Sequence, residues 1–593
     1  MAALFTTPKR NDTTAGTHVA EPDVRRRIGL AHGSWRRVTR RIVAGAVCAL
    51  TVSSLLMPSV SLAAEWVKVG GNKYNTAASD EAGTWSWDGA DDLKLNNYNG
   101  SEIQAAGKLN VNYSGTNIVT AEWIESINVS HGTNENAELN IQGDEGGTLS
   151  VTSTEDAILS TGNINIDGAG SVNATSTGFD AINAGGDLAI KGSGNVNATG
   201  ASDGIRANGN ITIDDSGAVT ARATKDKGIG ADKNLTIKGG GTVEASSADG
   251  EALWSGGNIN ISDGSQVKAN SEEDSAVIST YKLTVTNASL NASGAKYGVH
   301  AFGGVTFDHA TVTVRTSAGG GQAIALFTDW DDIVIKNGST VDAFAEGEVS
   351  AAFSTRNDRP NEKGGHIYIS DSVVKAIARY VENGDGPIPY SENQDGETRR
   401  EPQGENIGII AQTSEGVTPA VISIIRSKVT AEGDTAAIFA RAMSADGKTI
   451  GTIKIENAAI QTPEGGKVID YRKLRDGIYE AGQAIGTGDA TVDSLYIKAV
   501  AKSTTIAPPE VAKPEDPKPD ETKPAESKPA ESKQNPKPEG SKPTKAVAAS
   551  TTKAKTTGKL AATGDASSAA IAAAALAGTA AIAAGAVVSR KRS

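Results

Sequence analysis

Cysteine occurs once in the 593 residues, at position 48, within an N-terminal stretch that has the pattern of a removable leader. The mature chain would then have neither a disulfide nor a thiol nucleophile, and its stability must have another source. Aromatic residues are only 4% of the sequence while glycine occurs 67 times. That balance argues against one large globular core and for something repetitive and thin.

A repeat fills the space those absences leave. Laying the segment from Gly162 onward under itself aligns three apolar sites separated by Gly, Asn, Asp and Ser. The first runs Ile164, Leu188, Ile211, Leu235, Ile259, Leu283, Val305; the second Val172, Val196, Val219, Val243, Val267, Leu290, Val312; the third Ile182, Ile205, Ile229, Leu253, Val277, Val299. All three recur at about 24 residues. Within each site apolar and polar residues alternate, as in "NINI", "ITI" and "LTV", which is the period of a strand with one buried face. Three short strands per turn, broken by residues that tolerate left-handed backbone, predict an all-β fold. The architecture expected is a right-handed parallel β-helix, each coil burying its apolar face on the next. Residues 91–500 are assigned to this solenoid, with "LKL" (93–95) opening the column and "IVI" (333–335), "IYI" (367–369), "ISII" (422–425), "IKI" (453–455) and "LYI" (495–497) continuing it past insertions. Residues 65–90, with Trp66, Trp85 and Trp87, are expected to cap its open end. The polar segment from Arg379 to Asn406 is expected to be a surface loop.

The flanks differ in kind. Residues 1–64 combine arginine clusters, an apolar run and small residues, predicting an export signal cleaved after Ala63 or Ala64. General secretion suits it, with twin-arginine export and a retained anchor as alternatives. Residues 501–559 are rich in Pro, Lys and Glu and predict a disordered, extended stalk. After them come "LAATGD" (560–565), a small-residue apolar segment (566–589) expected to be a membrane helix, and a basic tail (590–593).

That order resembles the Gram-positive surface proteins anchored by sortase. The resemblance implies that Leu560, Ala561, Ala562, Thr563 and Gly564 are the sorting signal. Leu560 would fill the recognition pocket, and the bond between Thr563 and Gly564 would be exchanged for a covalent link to peptidoglycan. Ala561 stands where the common pattern has proline, which implies an alanine-preferring sortase of high-G+C Gram-positive bacteria. A tail helix that stays in the membrane is the alternative. The protein is expected to be secreted and attached to the cell wall, after a transient membrane stage.

The chain as a whole carries −13; the leader and the region after residue 500 are each about six positive, leaving about −25 on the solenoid. Nucleic acid is therefore not an expected partner, whereas divalent cations are. Many parallel β-helices cleave pectin, yet His131, His300, His309 and His366, the histidines beyond the leader, lie in no Gly-His-Gly or Arg-x-Lys setting. No enzyme and no catalytic residue is expected, and the pair Asp214–Asp215 reads as a turn. The turns "TEDAI", "GFDAI" and "SDGI" with strands such as "GNITI" resemble secreted, non-catalytic β-helix proteins described as carbohydrate binding, with pectin-like polymers as ligand. The resemblance implies an adhesin; a structural spacer is the alternative. Trp254, Tyr281, Phe302, Phe327 and Trp330 come just after third-site strands and are expected to line one corner as a sugar-stacking surface. Asp329, Asp331 and Asp332 could hold a calcium ion bridging to uronates.

Overall fold

The computed structural model describes residues 63–509, apart from 131, 133–136, 318–320, 360–362, 382–390, 393–397, 400–404, 446, 476–477 and 489–498. The leader before Ala63, the stalk beyond residue 509, the sorting motif, the apolar segment, the basic tail and "LYI" (495–497) all lie outside the described residues.

Three strands per coil, each pairing in parallel with its counterpart one coil away, build three long sheets around an apolar interior. In the first sheet Leu188, Ile211, Leu235, Ile259 and Leu283 are successive Cα partners, 23 or 24 residues apart. The second sheet stacks Val172, Val196, Val219, Val243, Val267 and Leu290. The third stacks Ile182, Ile205, Ile229, Leu253, Val277 and Val299. These side chains are essentially fully buried, and at about 1.5–3 kcal/mol per large aliphatic they are the main stabilising term. Longer insertions widen the later coils: Ile333, Ile367, Ile422 and Ile453 remain successive partners although up to 55 residues separate them.

Corner chemistry explains the polar residues between strands. At or just after the ends of these first-sheet strands the backbone turns to positive φ, at Gly168 (102°), Gly192 (80°), Asp215 (47°), Gly239 (86°), Asp263 (57°) and Asn287 (49°). Only Gly, Asn and Asp take that conformation at low cost, so Asp215 is a turn residue. Before the first sheet, side chains of one coil satisfy backbone N–H groups of the next. Asp187 N donates to Asn163 Oδ1 (2.9 Å), Asn210 N to Asp187 Oδ1 (2.7 Å) and Asn258 N to Asn234 Oδ1 (2.9 Å).

Both ends of the column turn antiparallel. Trp85–Trp87 pairs with Asp92–Asn96 and Trp66–Val69 with Ile103–Ala106, both antiparallel, with Trp85 and Trp87 buried. Ala63 bridges to Lys108 and Ala64 is buried against the first coil. At the other end Ile478–Gly486 runs antiparallel to Ala436–Ser444. Ser503–Ala507 lies antiparallel to Lys428–Gly433 with Ile506 buried. Residues 503–507, assigned by composition to the expected stalk, are instead a strand, because "TTI" alternates and Ile506 completes the second-sheet core. The expected loop from Arg379 to Asn406 is likewise shorter. Arg379 and Tyr380 end the strand Val373–Tyr380, Asn406 opens the strand Asn406–Thr413, and Glu405 is buried against Arg441 (2.9 Å).

Candidate functional site

The first sheet presents an open groove of about 610 Å³ along the coils that are most regular in sequence. One margin is the ladder Asn163, Asp187, Asn210, Asn234, Asn258. The floor consists of Asn165, Ala189, Thr212, Thr236 and Asn260, the residues that alternate with the buried Ile and Leu of each strand. Ala189, short among amides and hydroxyls, leaves a notch. Toward the first coils the amides join into a chain, Asn165 Nδ2 donating to Asn140 Oδ1 (2.7 Å) and Asn140 Nδ2 to Asn110 Oδ1 (2.8 Å). The far side begins at Lys191, and Lys238 bridges Asp214 there (2.9 Å). Because coils repeat every ~4.8 Å, the groove offers donors and acceptors at a regular interval along one axis. A polyol chain lying along the coils would meet polar side chains in every coil, with Asp187 the one carboxylate among the groove's lining residues.

The aromatic residues expected to form one row divide. Trp254 and Phe327 lie within third-sheet strands, whereas Tyr281, Phe302 and Trp330 follow theirs. Tyr281 is exposed, at 60%; Trp254, Phe302 and Trp330 are half-buried. Phe327 is 4% exposed, and its expected place on a sugar-stacking surface is corrected accordingly. From Gln322–Thr328 onward both faces of the third-sheet strands are buried, and Phe327 belongs to a second apolar cluster with Ile324, Ile410 and Phe439. Phe302 stacks on His300 (4.2 Å between centroids) and meets Trp330 (5.4 Å), over which the Arg359 guanidinium sits at 3.4 Å. Lys227 approaches Trp254 at 5.4 Å. These rings mostly contact side chains of the protein itself.

The three aspartates have separate partners. Asp329 is buried between His300 Nε2 (2.8 Å) and Arg356 Nη2 (3.1 Å). Asp331 bridges Lys282 (2.7 Å), and Asp332 accepts the His366 backbone N–H (2.9 Å). Burial raises the Asp332 carboxyl above its ordinary range. Among the described residues no group of three or more acidic, histidine or cysteine side chains is placed to hold a metal ion. Asp329, Asp331 and Asp332 therefore do not fit a calcium site, since two of the carboxylates are neutralised by cations and the third is spent on backbone. Of the histidines, His300 is engaged by Asp329, His309 by Asp308, and His366 accepts the Val421 N–H at Nδ1.

A second carboxylate ladder was not anticipated. At the corner entering the third sheet, Asp180 N donates to Asp156 Oδ1 (2.9 Å), Asp203 N to Asp180 Oδ1 (2.9 Å) and Lys227 N to Asp203 Oδ1 (2.6 Å). Burial pushes Asp203 up to about 6 and raises Asp156 and Asp180 in the same direction. The signal was in the aligned "DAI", "DAI" and "DGI", read only as turn closures. The polar floor of the groove was legible too, as the outward half of each alternating strand. Compared with family models, with curated proteins and with solved structures, the chain matches none.

Proposed function

We propose that this is a secreted, non-catalytic surface protein whose solenoid binds carbohydrate, held on the cell wall of a Gram-positive bacterium through Thr563. The observation that carries the binding half is the groove: amides and hydroxyls at coil spacing, interrupted in one coil by Asp187 and Ala189, open to solvent and matched to the hydroxyl-rich edge of a glycan. The anchoring half rests on the order of leader, solenoid, Pro/Lys stalk, "LAATG" and basic tail. Sortase would be the partner in anchoring and peptidoglycan the covalent acceptor. Calcium has no part in this reading, and neither does nucleic acid.

The test uses Thr212→Lys with Thr236→Lys, which fills the groove from two outward positions and leaves Ile211, Ile213, Leu235 and Ile237 in the core. Titration with neutral β-linked hexasaccharides should show binding to the parent and at least a tenfold loss in the variant, with unchanged melting. Equal binding by both would remove the groove as the site.

A further inference from the structure

Two aromatic rings elsewhere on the solenoid are, like Tyr281, well exposed. Trp123 is 81% and Phe179 51% exposed. Both sit on the corner between second-sheet and third-sheet strands, Trp123 after Thr116–Ala121 and Phe179 after Ser171–Ser176. Trp123 N donates to Thr154 Oγ1 in the next coil (3.0 Å), and Ser202 N, one coil past Phe179, donates to Phe179 O (3.0 Å). The rings are thus two coils apart on one corner, roughly 10 Å at the ~4.8 Å coil repeat. Trp123 also holds φ at 69°, a conformation costly for a bulky residue. Neither ring belongs to the buried core. An exposed aromatic pair on a rigid scaffold suits the flat face of a sugar ring.

The surrounding charge selects the sugar. No Lys or Arg occurs from Leu109 to Ile190, whereas Glu122, Glu125 and Glu155 lie at this corner, with the half-buried Asp156 close to Glu125 and Glu155. A uronate chain would be repelled here, and a protonated amine beside an aromatic face would be favoured by both the carboxylates and the ring.

We propose that the Trp123–Phe179 corner is a second binding surface, taking a chain of amino sugars with free, protonated amines. It shares with the groove only the premise that the solenoid binds carbohydrate, and it uses different residues. The experiment titrates the full-length protein with four probes: a β-linked glucosamine hexamer, its fully N-acetylated form, a galacturonate hexamer and a lysine hexapeptide. Parent, Trp123→Ala/Phe179→Ala and the groove variant Thr212→Lys/Thr236→Lys are compared. The glucosamine hexamer should bind the parent at least tenfold more tightly than the acetylated form, and more weakly as salt rises. The corner variant should melt as the parent does yet lose at least tenfold, a larger loss than the groove variant shows. Unchanged affinity in the corner variant would overturn the proposal, as would preference for the acetylated or galacturonate hexamer, or a lysine hexapeptide binding as tightly as the amino sugar. Loss confined to the groove variant would overturn it as well while upholding the groove. Binding of neutral chains alone would do the same.

Discussion

Ile213 offers the sharpest test of the inward ladder. Its Cα lies opposite Ile190 in the coil before and Ile237 in the coil after, and the side chain is 1% exposed. Ile213→Ala leaves a cavity between two isoleucines that cannot close without moving both coils, a loss of about 2–5 kcal/mol. Because each coil of a solenoid contacts only its neighbours, the loss should be felt locally. Taking ~3 kcal/mol and 1.4 kcal/mol per decade, amides of Leu188–Lys191, Ile211–Asp214 and Leu235–Lys238 should exchange hydrogen roughly a hundredfold faster. Those of Ile367–Ser370, several coils away, should be unchanged. Thr212→Ala, one residue along and facing the groove, should stay within about 0.5 kcal/mol of the parent. Exchange measured by mass spectrometry on both variants decides the matter. Equal effects from the two substitutions, or acceleration spread evenly along the column, would refute the assignment of inward and outward faces.

Stability should also depend on pH through Asp203. With its folded-state value raised to about 6 from 3.8, the native protein binds the proton more tightly than the unfolded chain. The contribution is therefore complete below about pH 4 and is lost as pH rises through about 6, a change of about 3 kcal/mol at 1.36 kcal/mol per unit. Asp156 and Asp180 act in the same sense; denaturant midpoints from pH 4 to 7 should fall, and Asp203→Asn should flatten the curve. A rise across that range would contradict the ladder. For anchoring, the protein should leave cells with a muralytic enzyme and resist detergent, and Thr563→Ala should shift it to the membrane or the medium. Release of the parent by detergent alone would exclude covalent attachment.

The regular coils were legible because period-two alternation and a 24-residue repeat are both local signals. They report which side chains of a strand face inward, and Ile164, Val172 and Ile182 all do. What they leave open is whether the outward face meets solvent. Phe327 occupies an outward position by alternation, yet it is buried because the third sheet from Gln322 onward is covered on both faces. The same non-local covering buries Arg441 with Glu405 and Glu480, a cluster invisible to any short window. Conversely, the aligned turn "GFDAI" marked Asp180 and Ile182 but gave Phe179 no repeating aromatic counterpart, and Trp123 had none either, so their shared corner emerged only from the register of the coils. The strand Ser503–Ala507 was hidden by its Pro-rich continuation, which dominated the composition around it.

The account stands or falls on carbohydrate binding by the intact protein, and an oligosaccharide array measures it most directly. The array should carry neutral, amino and uronic chains of at least six units, read with and without a calcium chelator. The account predicts saturable binding to neutral and amino-sugar chains, indifferent to the chelator. An array silent for every chain, or one lit only by uronates and abolished by the chelator, would contradict it.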